Sequence, residues 1–370
     1  PDLAEARKPI EAMRKKIPRP ATTLVMEERP LLYPRPTHRH HRGEFLAPRE
    51  AVRPEVPPFL PPLAKDQQRN RLGFARWLVD KRNPLTARVT VNRYWAELFG
   101  EGIVPTLDDF GYTGTMPTQP ALLDWLALEF IRHGWSRKKI LRLIVTSATY
   151  RQGPRPKANA GLHPTIHIPT YRLAAEQIRD SVLHVSGILN PKLGGPSVFP
   201  PQPKSIGEGI YGGGGWRTST GPDRYRRSLY THRKRSMPYA MHDAFDAPSH
   251  EACVVGRERS NTPLQALLLL NNNFILEASV ALARWAAQQE GDETAVMQSL
   301  FQRVLVRPPD AREMEIMREY FAKQKRRFEA NKKMAEQIAG PKPPAAVESV
   351  AAWGSLAHVL LNTHEFITRN

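Results

Sequence analysis

The sequence predicts a mainly α fold: a helical domain carrying an irregular Gly/Pro-rich insertion with minor β. Three observations lead there. From residue 71 onward apolar residues recur at helical spacing in segment after segment, with start and stop signals at the ends. The hydrophobic share of 41% and charged share of 24% are those of an ordinary globular chain. Gly and Pro concentrate in two places, residues 1–62 and 190–222, where regular structure is discouraged.

Residues 1–62 carry prolines at 18, 20, 30, 34, 36, 48, 54, 57, 58, 61 and 62, which forbid long helix there. Only 4–16 has helical character, as the tail of an upstream helix. The rest is expected to be an extended arm or an inter-domain linker. The expected division is therefore an arm at 1–62 and a mostly helical module at 63–370, with an irregular segment at 190–260.

Leu72, Ala75, Leu78 and Val79 form the first helical stripe of the module, ended by Asn83-Pro84. A second helix is expected over 86–99, stopped by Gly100 and Gly102. The stretch 103–118 is a loop with Asp108, Asp109, Gly111 and Gly114. Pro120 in a first turn and Gly134 at the C-terminal cap frame a helix over 120–133. Ser136 is placed to cap the next, 137–146. A connecting loop follows at 152–169, then a helix over 171–189. The run 190–222, with Gly212 to Gly215, is irregular, and 226–231 alternates like a strand. Further helices are expected over 264–270, 274–289, 295–304, 311–330 and 347–361. No internal repeat is found.

Lys and Arg total 54 against 36 Asp and Glu, a formal charge of +18. Such a field attracts polyanions, whether nucleic acid, acidic or sulfated polysaccharide, or an anionic membrane surface, without choosing among them. A solvated basic surface with no specific partner is the plainer reading. No apolar run approaches the eighteen or so residues of a membrane span. Pro1, in place of Met, is what a processed product or excised fragment would show, with any targeting signal lost. The single cysteine, Cys253, rules out an internal disulfide, a C-x-x-C-H haem attachment and a Cys-based zinc site.

Several strings, taken together and in order, resemble a known family. They include Asn83-Pro84-Leu85-Thr86-Ala87-Arg88, Val91-Asn92-Arg93-Tyr94-Trp95, Asp109-Phe110-Gly111, and Thr146-Ser147-Ala148-Thr149-Tyr150-Arg151. Glu176 with Ile178-Arg179-Asp180 follows, then Tyr225-Arg226-Arg227-Ser228-Leu229-Tyr230, Phe245-Asp246-Ala247-Pro248 and Arg259-Ser260-Asn261-Thr262-Pro263-Leu264-Gln265-Ala266-Leu267. The chain resembles the domain of unknown function 1553, a planctomycete surface module that accompanies cytochrome c domains. The resemblance spans roughly residue 30 to the C-terminus. It implies an exported, extracytoplasmic protein whose partners are the upstream domains of the same polypeptide, with haem c in those domains and no cofactor in this chain. It implies no established activity. The histidines of Thr37-His38-Arg39-His40-His41 and the glycine run near Gly213 depart from the pattern.

The densest polar region holds Arg226-Arg227, His232-Arg233-Lys234-Arg235, Asp246, His250, Cys253 and Arg257-Glu258-Arg259. A buried ion-pair lattice fixing irregular segments is the first expectation. The sharper one is an anion site. There Arg227, Arg233, Arg257 and Arg259 would offer forks to carboxylate, sulfate or phosphate, with Asp246 or Glu258 orienting them. Trp216, beside the glycine run, is expected to be exposed and able to stack on a sugar ring. Cys253 could be a nucleophile activated by His250, but reads better as a buried structural cysteine. His38, His40 and His41 suit a solvated basic arm better than a metal site, which is assigned to no residue here. Asp108 and Asp109 suit capping better than paired-carboxylate chemistry. Trp77, Trp95, Trp125 and Trp135 read as core. Gly212 to Gly215 lacks the Gly-Lys-Ser/Thr ending of a phosphate loop.

The function expected is a non-catalytic binding or scaffold module, with acidic or sulfated polysaccharide as ligand. An enzyme acting on such a polymer, as hydrolase or electron-transfer partner, is the alternative. Nucleic-acid binding is a second alternative, resting on charge alone. No reaction is disclosed; a pocket joining Arg227, Asp246 and Glu258 beside an exposed aromatic would favour an enzyme or binder, and a sealed ion-pair lattice would favour a scaffold.

Overall fold

The computed structural model describes residues 3–17, 22–30, 32–33, 35–152, 170–203 and 215–369. The loop expected at 152–169 and the glycines 212–214 thus lie almost wholly outside the described residues. The chain divides into two compact units, Pro1–Arg88 and Val89–Asn370. The fold is mainly α, with two small antiparallel sheets of two strands each.

The first unit holds helix α1 (Leu3–Lys16), a small hairpin of β1 (His38–His40) and β2 (Pro48–Ala51), and α2 (Arg71–Leu78). Asn70 opens α2 by accepting from the Gly73 amide, the ordinary role of Asn at an N-cap. Gly73 is required there, since a Cβ would lie 2.0 Å from the Gln68 carbonyl oxygen. Trp77 is buried and donates its Nε1–H to Pro61 O at 2.6 Å, tying a proline-rich turn to the helix.

In the second unit, α3 (Thr86–Phe99) begins just before the division and continues into it. Then come α4 (Pro120–Arg132) and α5 (Arg137–Val145). The chain leaves α4 through Gly134 and Trp135, both left-handed, with Trp135 N–H donating to Phe130 O at 3.0 Å. Ser136 stands at the N-cap of α5, but its hydroxyl makes no capping bond. Only its carbonyl accepts from the first turn.

The core is built around α13 (Val347–Leu361), which packs chiefly on α9 (Asn273–Ala286), α11 (Ala311–Ala330) and α12 (Lys332–Ala339). Val350, Ala351, Ala352 and Ala357 on α13 are fully buried. A helix with so wide an apolar face belongs in a core, and its small residues let α9 come close, with Ala283 next to Gly354. The remaining elements are α6 (Ala175–Val185), α7 (Ala240–Ala244), α8 (Pro263–Asn271), α10 (Glu293–Leu305) and α14 (His364–Ile367). No single described helix is long and apolar enough to cross a membrane; α8 and α9 reach that test only together, across a 53° bend.

Two expectations need correction. The helix foreseen over 171–189 starts only at Ala175. Tyr171–Arg172 forms strand β3 instead, paired with β4 (Thr368–Arg369). The partner comes from the far end of the chain, and Leu173 N–H adds a bond to Ile367 O at 2.8 Å. The strand foreseen over 226–231 is a 3-10 turn, Ser228–Tyr230, flanked by isolated bridges from Arg226 to Asn190 and from Thr231 to Val198. Polar contacts tie the segment to α6, among them Ser228 N–H to Asp180 at 2.6 Å.

Candidate functional site

One face of α6 forms the floor of an open cleft of about 1130 Å³ in the second unit. Glu176, Gln177, Asp180, Ser181 and His184 lie at helical spacing along it. Above them stand Arg227 from the 3-10 region, Asp246 just after α7, and the segment before α8 with Arg257, Glu258 and Arg259. Six of the seven candidates (Arg227, Arg233, Asp246, Arg257, Glu258 and Arg259) therefore line a single cleft. The ordered β3 end contributes Tyr171 and Arg172.

The seventh candidate is elsewhere. Trp216 is half-buried, not exposed. Its indole donates to Pro200 O at 2.6 Å and stacks on Tyr239 at 5.9 Å. The polar end found a carbonyl, so the ring could be packed.

Asp246 is the anchor of the cleft wall. It sits in the left-handed region at φ 59°, a conformation that Asp tolerates better than most side chains. Its carboxylate pairs with Arg172 and accepts from Ser260 N–H at 2.8 Å and Ser260 Oγ–H at 2.9 Å. Gln265 then donates to Ser260 Oγ at 3.0 Å and to Ala244 O at 2.9 Å. Its own Oε1 accepts from Thr262 N–H, as in a capping box opening α8. Arg172 is buried and also donates to Ser260 O at 2.9 Å. Burial pulls its guanidinium down from the ordinary value, and Asp246 opposes that.

Glu176 is held by two arginines, Arg257 at 2.5 Å and Arg233 at 2.9 Å. Burial by itself would raise this carboxyl, but the two guanidinium groups overcome it and hold the value at about 2. The charges gather around three acids, with Asp180 also 4.0 Å from Arg179. Arg227 meets Asp180 at 3.4 Å, Arg257 and Arg233 meet Glu176, and Asp246 meets Arg172. Arg227 and Arg257 are solvent-exposed, so the pairs border an open space and do not seal it.

A testable consequence follows for acid stability. A carboxyl depressed in the folded state contributes stability that is full above its unfolded value, about 4.3, and lost as the pH falls toward 2. Urea unfolding at pH 5 and pH 3 should show a smaller drop for Glu176→Gln than for wild type; an equal drop would remove Glu176 from the acid response.

Beneath these pairs lies the fully buried Arg179. It donates to Arg226 O at 2.8 Å, Arg224 O at 3.0 Å and Ser228 Oγ at 3.3 Å. Arg226 is also buried and gives its fork to the carbonyls of Lys192, Gly194 and Pro196. Adjacent arginines thus have opposite jobs: Arg226 ties down a loop, and Arg227 faces the cleft.

The strings Glu176 to Asp180, Tyr225 to Tyr230, Phe245 to Pro248 and Arg259 to Leu267 all converge here. A family model described as PSD1, protein of unknown function (DUF1553), matches residues 70–321, well over half of the chain. The chain belongs to this family. No curated protein and no solved structure matches it. Within the family match, the cleft is where the chain's most distinctive polar strings meet.

Arg172, Glu176, Asp180 and Tyr171 were not among the sequence candidates. Arg259 is the most available cation of the cleft. It lies 4.1 Å over the Tyr171 ring and, among the described residues, has no ion-pair partner. Arg369 approaches the same ring, donating to Tyr171 Oη at 2.8 Å.

The other candidates resolve plainly. Cys253 is exposed, not buried, in a segment without helix or strand, so the expected core role is corrected. His38 Nδ1 bonds to Arg49 O and His40 Nδ1 to Glu44 O. Among the described residues no group of three or more His, Cys, Asp or Glu is placed to hold a metal. Asp109 closes its own turn, accepting from Gly111 N–H at 2.7 Å and from Thr113. Trp77 is core, Trp95 stacks on Phe99 at 4.1 Å, but Trp125 is 47% exposed and departs from the expected core role.

Proposed function

We propose that the chain is a non-catalytic binding module whose ligand, an acidic or sulfated saccharide, lies in the α6 cleft. The observation that carries this reading is the charge pattern of that cleft. Five arginines and six carboxylates line it, and most of the charges are paired in ways that leave open space between. Arg259, Glu258 and Glu97 line it without an ion pair among the described residues. A mixed set of this kind suits a hydroxyl-rich ligand. Carboxylates accept from sugar hydroxyls, while an arginine fork takes a carboxylate or sulfate.

The same pattern disfavours nucleic acid as the occupant. A continuous phosphate backbone needs a run of unpaired cations, and all the arginines of this cleft but Arg259 are already paired with acids, whereas a saccharide with isolated acidic groups needs only one such fork. We also propose an extracytoplasmic setting beside upstream haem-bearing domains, as the family resemblance suggests. There an acidic polysaccharide is the accessible polyanion.

The test is a salt titration of retention on a sulfated glycan, a neutral glycan and duplex DNA. The reading predicts that the sulfated glycan is held at physiological ionic strength, where the screening length is about 8 Å, after DNA has been released. Parallel release of the sulfated glycan and DNA would reduce binding to the charge field alone. No retention of any of them at low salt would leave a structural scaffold.

A further inference from the structure

Helices α9, α11, α12 and α13 border a cavity of about 300 Å³ that shares no lining residue with the α6 cleft. Small-molecule sites begin at roughly this size and are common between the helices of bundles. Leu276, Val280 and Ile338 give the cavity an aliphatic wall, and Tyr320 adds a ring. Among the described residues no Asp, Glu, Lys or Arg lines it, in a chain with a formal charge of +18.

Gly354 lies in the interior of α13 and lines this cavity. Glycine there is costlier than alanine, because its backbone loses more freedom on folding. A Cβ at this position would meet Ile338 Cγ2 at 3.4 Å and Ala283 Cβ at 3.7 Å, which are ordinary contact distances. Helix packing therefore admits alanine. The added methyl would instead stand against Ile338, in the cavity wall. The glycine thus keeps space that the fold itself does not need.

Tyr320 supplies a second sign. It is half-buried, and burial raises its phenol above the ordinary value, so the group stays protonated and able to donate. Its Oη has no hydrogen-bond partner among the described residues and is not sealed in the core. The other polar groups are already engaged. Ser279 Oγ–H donates to Ile275 O at 2.8 Å and Ser355 Oγ–H to Ala351 O at 3.2 Å. Burial holds His358 below its ordinary value, hence neutral at pH 7. An ion entering this cavity would lose hydration and find no opposite charge.

We propose that this cavity is a second binding site, which takes a small uncharged aromatic molecule bearing a hydroxyl. The aromatic body packs beside Gly354, against the aliphatic wall and the Tyr320 ring. The hydroxyl bonds to Tyr320 Oη. The site does not rest on the saccharide reading.

Calorimetric titration of the full chain with 2-naphthol and with 2-naphthoate at pH 7 tests this. The two probes share one aromatic body, but only the second is charged. Wild type should bind one equivalent of 2-naphthol, and 2-naphthoate at least ten-fold more weakly. A basic charge field alone would give the opposite order. Val280→Phe, which fills the cavity from its wall, should bind 2-naphthol at least ten-fold more weakly. Gly354→Ala should melt at or above the wild-type temperature and still bind several-fold more weakly. Tyr320→Phe should also bind several-fold more weakly. If Val280→Phe fails to fold, Gly354→Ala decides. Absence of 2-naphthol binding to wild type, including absence because a second copy covers the cavity, would overturn the site. Equal or tighter binding of 2-naphthoate would overturn it too, as would wild-type affinity in Gly354→Ala or Tyr320→Phe.

Discussion

Asp246→Ala should lower the melting temperature by roughly 10 °C. The carboxylate is the only acid paired with Arg172, whose side chain is 7% exposed, among the described residues. Removing one partner of a buried pair strands the other charge, at about 3–5 kcal/mol. At about 2–4 °C per kcal/mol for a unit of this size, that gives the shift stated. Two further losses point the same way: Ser260 N–H and Oγ–H lose their acceptor, and the start of α8 loses its tie to Gln265. Asp246→Asn keeps acceptor oxygen for Ser260 and should lose less. Arg227→Ala is the contrast. That side chain is 51% exposed and its contact with Asp180 is long, so about 1 kcal/mol or less is expected. Thermal melts of the three variants decide it. A wild-type melt for Asp246→Ala would mean that the Arg172 pair does not hold the cleft wall.

Arg179→Met should cost a similar amount, with a different footprint. Arg179 has no exposed surface and lies between the Phe274 ring at 5.3 Å and the Tyr239 ring at 6.0 Å. Methionine would fill much of the space but leave the carbonyls of Arg224 and Arg226 and the hydroxyl of Ser228 without their donor. Each such loss costs about 1–3 kcal/mol. Arg179→Lys should not rescue it, because a point charge cannot serve two carbonyls as the fork does. Arg179 joins three points of the segment 224–228 to α6, so the amides around it should exchange faster with solvent. Those of Val198 and His232, which bridge Val198 to the segment at 2.8 Å each, are the ones to follow. Unchanged exchange there would show that the segment is fixed by packing and not by Arg179.

The long helices were legible because their apolar residues repeat with the helical period and their ends carry Pro, Gly or Asp. The spans 86–99, 311–330 and 347–361 coincide with α3, α11 and α13. Helix α12 was missed despite Met334, Ala335, Ile338 and Ala339 at helical spacing, since it follows α11 after only Asn331. The start of α6 was misread because β3 depends on residues 368–369, nearly two hundred positions away, which no local pattern reveals.

The cleft was half legible. Its basic wall announced itself as a dense run of Arg and acid. Its floor did not, because Glu176 and Asp180 read as the solvated face of an amphipathic helix. Their partners lie 81 and 47 residues away. The four-residue spacing of Glu176, Asp180 and His184 was the available sign of one polar face. Trp216 misled for the opposite reason. A neighbouring glycine run suggests exposure, but the indole N–H found a carbonyl and the ring a stacking partner.

The most direct measurement of the central claim is the affinity of a sulfated or uronic-acid oligosaccharide for wild type and Arg259→Ala at physiological ionic strength. Arg259 is exposed and, among the described residues, free of acidic partners, so its removal should leave the melting temperature within the range of ordinary surface changes. A charge-assisted hydrogen bond is worth about 1.5–3 kcal/mol, and every 1.4 kcal/mol is about tenfold. The cleft reading predicts at least ten-fold weaker binding with an unchanged melt. Equal affinity in the two proteins would contradict it and move the ligand, or the function, away from the α6 cleft.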